Sequence, residues 1–276
     1  MDNTASVLIL VSGFAHAVVN AILKAGNDKM SRRALIDGFS ALILAPAVFV
    51  VPLPAHAWHW LFASAAVHGL YLFALIKSFE QSDMSVAYPI ARGLAPMLAA
   101  AGAVAIFREP ISLSVVIGIM AIACGVMFIG VSHKLQRSAL LWAVLTGTCI
   151  AAYTVIDAQG VRAAPTALSY IVWTFLLLGG ALGTFFAIWR GRAFFVTAVD
   201  QWRPGLIAGA LSIVTYGFAL FAFRLGATPR LAALRETSIL FGTAIAVIFL
   251  KERLTKLRLT GVLSIAAGAM ILIALH

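Results

Sequence analysis

Residues 92–130 read RGLAPMLAAAGAVAIFREPISLSVVIGIMAIACGVMFIG, and residues 235–273 read RETSILFGTAIAVIFLKERLTKLRLTGVLSIAAGAMILI. Set 143 residues apart, the two stretches align without a gap and share ten identities in 39 positions. Arg92 falls on Arg235, Glu109 on Glu252, Gly118 on Gly261, Gly125 on Gly268 and Met127 on Met270. Apolar bias yields chance matches of Ala and Val, but not of Arg, Glu and paired Gly in register. A shift of 134 aligns the starts of the halves, with Gly13 on Gly147, Ala17 on Ala151 and Gly26 on Gly160. The chain therefore reads as an internal duplication.

Working outward, the 276 residues are 62% apolar and 11% charged, with mean hydropathy +1.02. Soluble domains carry about a quarter charged residues, so a water-soluble globule is excluded. The +10 net charge does not signal nucleic acid, because the basic residues sit at the ends of apolar runs and form no stripe. Cys124 and Cys149 lie inside apolar runs, and no disulfide, metal or cofactor framework is legible.

About 20 apolar residues cross a bilayer as a helix. Ten runs meet this: roughly 5–24, 34–52, 58–79, 84–107, 112–131, 138–157, 166–189, 204–223, 227–250 and 256–275. The polar breaks between them are too short for a soluble domain. Ala15-His16-Ala17 mimics a signal-peptide cleavage site, but no basic segment precedes it, so the first run is expected to be retained. The predicted fold is all-α and integral to the membrane: ten transmembrane helices as two inverted five-helix repeats, residues 1–133 and 134–276. Five is odd, so the second repeat enters the membrane from the opposite side. Inverted repeats with a site between them are a transporter design. The basic residues divide fourteen to four between the two faces, with Arg92 and Arg235 inside spans. The positive-inside rule then makes the richer face cytoplasmic and points both termini outward.

These features resemble the drug/metabolite transporter superfamily, EamA type, over the whole chain. The most specific element is a span ending in a Glu, a tight turn and a Gly-rich next span. Here it is Phe107-Arg108-Glu109-Pro110 with Gly118 and Gly125, and again Lys251-Glu252-Arg253-Leu254 with Gly261 and Gly268. Arg108 and Lys251 stand where the family usually has Gly. Residues 89–93 (PIARG) and 234–238 (LRETS) are also similar to members encoded beside phosphonate-breakdown genes. The resemblance implies export or exchange of small metabolites across a bacterial inner membrane, and no covalent chemistry. Ten-span relatives often keep both termini in the cytoplasm, against the charge count here.

Arg92 and Arg235 are the sharpest candidates, each about 12–14 Å into its span at 1.5 Å per residue. A charge that deep needs a wet cavity or a partner. Two guanidinium forks across a cleft suit a carboxylate, phosphate or phosphonate. The alternative is a structural pin on broken-helix carbonyls near Pro89, Pro96 or Pro229. Glu236 reads as a partner for Arg92 or as a site for a coupling proton. His16, Asn20 and Lys24 form a polar stripe on the first span, matched by Tyr153 and Asp157 on the sixth. His16, Asn20 and Tyr153 are expected in the cavity, with Tyr71 and Tyr88, while Lys24 and Asp157 are expected near the interface. His68 shares a face with Tyr71 and reads as a packing histidine. The cavity is expected between spans 1, 3, 4, 6, 8 and 9, with spans 5 and 10 as support. Glu109 and Glu252 read as caps of the helix that follows each. The four glycines read as a contact between the halves or a homodimer face.

The expected function is thus secondary, non-ATP transport of a small anionic or zwitterionic metabolite by alternating access. Its partners would be that substrate, the lipid bilayer and a coupling ion such as a proton, with no nucleic acid. The rival is a non-transporting polytopic protein, either an accessory subunit or a membrane enzyme. A membrane hydrolase would need a nucleophile–base pair or a metal cluster, and no such motif is present.

Overall fold

The computed structural model describes residues 3–24, 29–81, 84–130, 137–249, 251 and 255–275. Among them there is no strand. The helices are α1 (Thr4–Lys24), α2 (Lys29–Leu44), α3 (Trp58–Gln81), α4 (Met84–Phe107), α5 (Leu113–Gly130) and α6 (Arg137–Ala163), then α7 (Ala167–Thr174), α8 (Gly180–Arg190), α9 (Arg192–Leu225), α10 (Thr228–Leu234), α11 (Ser238–Phe249) and α12 (Lys256–Ala274). Among the described residues, eight helical segments are long and apolar enough to cross a membrane; the apolar stretch Leu113–Ile129 of α5 is shorter. The chain is an all-α integral membrane protein.

Local chemistry explains the boundaries and breaks. Thr166 caps α7 by accepting from the Ser169 N–H at 3.0 Å, and Thr255 caps α12 by accepting from the Arg258 N–H at 3.3 Å. Pro204 cannot donate to the carbonyl four residues back and its ring collides with it. Accordingly α9 kinks at Gln201, where φ is −124° and ψ 18°. Between α7 and α8 the helix widens into a π turn at Phe175–Gly179. Arg235–Thr237 is a 3-10 turn that separates α10 from α11. Its repeat-mate around Arg92 lies inside an unbroken α4, despite Pro89 and Pro96.

Packing between helices follows small residues. On α5 and α12, a Cβ on Gly125 would lie 2.6 Å from the Gly261 carbonyl oxygen, and one on Gly261 would lie 2.6 Å from that of Gly125. Gly118 and Gly268 make the same reciprocal approach, at 3.2 and 2.7 Å from each other's carbonyl oxygen. These glycines are thus used within one chain, where they let two backbones touch. Elsewhere α3 and α4 pack on α6, while α9 and α11 pack on α1. The main core gathers Ile9, Ile122, Tyr170, Leu220, Phe223, Leu231, Leu234 and Ile265 around α6 and α10.

At one end of the bundle, polar groups staple the helix ends together. The Glu109 carboxylate accepts from Arg162 Nη1 at 2.6 Å, Gln159 Nε2 at 3.1 Å, and both the backbone N–H and the hydroxyl of Thr228 at 2.7 Å. Arg162 also donates to the carbonyls of Phe223 and Gly226, at 2.9 and 2.7 Å. This corrects the expected role of Glu109. It caps α10, in the other half of the chain, and not the adjacent α5. The reason is spatial: the 4–5 turn folds over the start of α10, whose free N–H groups attract a carboxylate. Burial raises the Glu109 carboxyl, but the hydrogen bonds from Arg162 and Thr228 outweigh it and hold it below the usual carboxylate range.

Candidate functional site

A cavity of about 140 Å³ lies inside the bundle. Its walls come from α1 (His16, Asn20), α2 (Arg33, Asp37), α3 (His68, Tyr71), α6 (Tyr153), the π turn (Phe175, Leu178, Gly179), α9 (Ser212, Thr215, Tyr216) and Arg235. Beside it, a void of about 10 Å³ is bounded by Arg92, Thr154, Arg235 and Glu236. That is room for roughly one water.

The two in-span arginines sit differently. Arg92 is buried; its Nε lies 2.9 Å from Glu236 Oε2, off the line of a well-directed hydrogen bond, and its Nη2 donates to Ser238 Oγ at 2.9 Å. It borders the small void and not the larger cavity. Arg235 is half-buried and borders both. Its guanidinium carbon stands over the Tyr216 ring, 5.0 Å from the centroid. Among the described residues no carboxylate pairs with it.

Of the other candidates, His16, Asn20, Tyr71 and Tyr153 line the larger cavity, and Glu236 lines the void. The side chains of Tyr88 and Lys24, and all of Glu252, lie outside the described residues. His68 stacks on Tyr153 at 4.0 Å between centroids and bonds through Nδ1 to the Ser64 carbonyl at 2.9 Å. It is a cavity residue as well as a packed one.

Two expectations need correction. Asp157 is not interfacial. α6 runs six residues beyond it, to Ala163, and it is fully buried, with Tyr170 OH donating to Oδ1 at 2.7 Å and Tyr216 OH donating to Oδ2. The cavity also differs from the expected set of spans. α2 and the π turn form walls, while α4 reaches only the void. The sequence signal for α2 was present, since its Arg33 and Asp37 are spaced i,i+4 and pair at 2.8 Å. Arg33 falls in the polar break before the run 34–52, and Asp37 falls inside that run. The π turn ends on the pair Gly179-Gly180, and Gly179 lets the Asp37 carbonyl of α2 approach, so that a Cβ there would lie 2.6 Å from its oxygen.

An all-helical bundle of membrane-length apolar helices, enclosing a polar chamber with an arginine in its wall, is a polytopic membrane protein with an internal cavity. The chain belongs to the EamA-like transporter family, whose model matches residues 137–274, half of its length. Family membership makes it a membrane transporter of the drug/metabolite superfamily. Among solved structures, one described only as "Crystal structure of protein" is 17% identical, with a TM-score of 0.69 over 98% of this chain and 96% of that one. That likeness shows the fold alone. No curated protein matches the chain.

Proposed function

We propose that this protein is a secondary, non-ATP transporter, an exporter or exchanger, of a small anionic or zwitterionic metabolite by alternating access through the central cavity. The observation that carries this reading is Arg235: a guanidinium on the cavity wall with no carboxylate partner among the described residues. A cation in a low-dielectric chamber is costly, and an anionic ligand offsets that cost with charge-assisted hydrogen bonds. Arg92, held by Glu236 and Ser238, serves as a pin beside the site, and Arg33 is already engaged by Asp37. A cavity near 150 Å³ accommodates a ligand of about benzene's size, so the cavity here favours a small metabolite over a nucleotide-sugar.

The reading includes ten spans in two inverted repeats, residues 1–133 and 134–276. The exchange of packing partners supports it: α3 and α4 meet α6 as their repeat-mates α9 and α11 meet α1, and α5 meets its own mate α12. It also includes residence in a bacterial inner membrane with both termini outward, supported by the fourteen-to-four division of basic residues.

The test is a thermal-shift screen of purified protein against carboxylates, amino acids, phosphonates and nucleotide-sugars, followed by counterflow of any stabilising ligand in proteoliposomes. A ligand that binds only the native state raises the melting point by mass action. Stabilisation by small anions or zwitterions with counterflow is the expected result. Binding without counterflow would favour the non-transporting alternative, and stabilisation confined to cations would overturn the anion site.

A further inference from the structure

The Arg235 guanidinium, with no carboxylate partner among the described residues, has an unusual support. Tyr216 lies beneath Arg235 with its ring face towards the cation, 5.0 Å from centroid to guanidinium carbon. The Tyr216 hydroxyl donates to Oδ2 of Asp157, which does not line the cavity. Asp157 is fully buried, and its other oxygen is held by Tyr170 at 2.7 Å. The rings of His68 and Phe175 stand nearly perpendicular to the Tyr216 ring, with centroids 6.2 and 6.4 Å away.

We propose that Asp157 and Tyr216 are positioning residues that set Arg235 for a planar carboxylate. This deepens the reading of Arg235 as the anion site and rests on it. Three physical effects combine. A phenol that donates to a carboxylate gains electron density, so its ring face attracts a cation more strongly. The hydroxyl anchor fixes the ring, and a guanidinium held over the ring keeps its in-plane N–H donors for a two-oxygen anion. Asp157 also supplies the compensating negative charge from behind the tyrosine. Its charge thus acts on the chamber without occupying any donor of Arg235. Direct pairing, as between Arg92 and Glu236, would consume those donors.

The test uses the full-length protein in detergent with two probes of fitting size, benzoate and its neutral isostere benzamide, titrated by thermophoresis. Tyr216→Phe keeps the ring and removes the anchor, while Asp157→Asn removes the charge. Each should weaken benzoate binding about threefold, a part of one cation–π contact since the ring itself stays, and leave benzamide unchanged. A purely structural role would weaken both probes alike. In an Arg235→Gln background, Tyr216→Phe should cause no further loss of benzoate affinity. Unchanged benzoate binding in Tyr216→Phe, or equal loss of both probes, overturns the proposal. If Arg235→Gln itself leaves benzoate binding intact, the anion site fails first. If Arg235→Gln weakens it and Tyr216→Phe does not, only the positioning role fails. Wild-type protein that binds neither probe removes both.

Discussion

Arg92 and Arg235 occupy matched positions of the repeated sequence, yet Arg92 pairs with a carboxylate and Arg235, among the described residues, does not. Arg92 lies inside an unbroken helix, buried against Glu236 and Ser238. Arg235 lies on a 3-10 turn between two short helices and reaches the cavity over Tyr216. The carboxylate that ties down Arg92 is the residue next to Arg235, and the matching position beside Arg92 is Gly93. One difference between the matched positions therefore separates an arginine in an ion pair from one with no carboxylate partner among the described residues. Repeat position alone does not assign a role.

The comparison breaks most visibly if Arg92 is removed. Arg92→Gln leaves Glu236 buried without its partner, and breaking such a pair costs about 3 kcal/mol or more. A large fall in melting temperature is expected, and a second change, Glu236→Gln, should recover most of it. If Arg92→Gln melts like wild type, the pin is imaginary. Arg235→Gln should do the reverse. Its melting temperature should stay near wild type while anion affinity falls by about ten- to a hundredfold, the worth of a charge-assisted contact. Equal effects of the two substitutions on binding would restore a symmetric site.

A smaller effect sharpens the contrast at the stapled end. Glu109→Gln should cost about 2 kcal/mol at neutral pH through weaker bonds to Arg162 and Thr228. Because the folded Glu109 carboxyl titrates below its usual value of 4.5, its contribution is complete above that pH and is lost as the pH falls through the folded value. Melting curves of wild type and variant should therefore converge on acidification below about pH 4.5. Curves that stay parallel would remove Glu109 from the staple.

The smallest effect concerns a pair of repeat-mates that did stay alike. Arg108 and Lys251 both adopt positive φ, 56° and 53°, where a side chain costs roughly 1 kcal/mol that glycine avoids. Arg108→Gly and Lys251→Gly should each raise the melting temperature slightly. A fall in either would mean that the side chain makes contacts worth more than the strain.

The duplicated Arg, Glu and Gly residues, the hydropathy and the run lengths were enough to read an all-helical membrane transporter. Length and apolarity alone dictate helices in a bilayer, because backbone groups there must bond within their own segment. The polar stripe of His16 and Asn20 was equally legible, since spacing by four residues puts side chains on one face whatever surrounds the helix. Arg33 was not, because a charge at a span end looks interfacial until its helix is seen to lean on the chamber; Asp37 and Tyr216 lie inside apolar runs, and only the fold turns them to the chamber.

What only the tertiary structure decided is partnership. Sequence order made Glu109 a neighbour of α5, Asp157 an end residue of its span and the two arginines equals. Folding carried Glu109 onto Thr228 and Arg162, set Asp157 between Tyr170 and Tyr216, and gave Glu236 to Arg92. Periodicity reports which face of a helix a residue occupies. Which group lies opposite it depends on helix crossings and breaks, and here those follow from glycine contacts, a π turn and a 3-10 turn that act across the whole bundle.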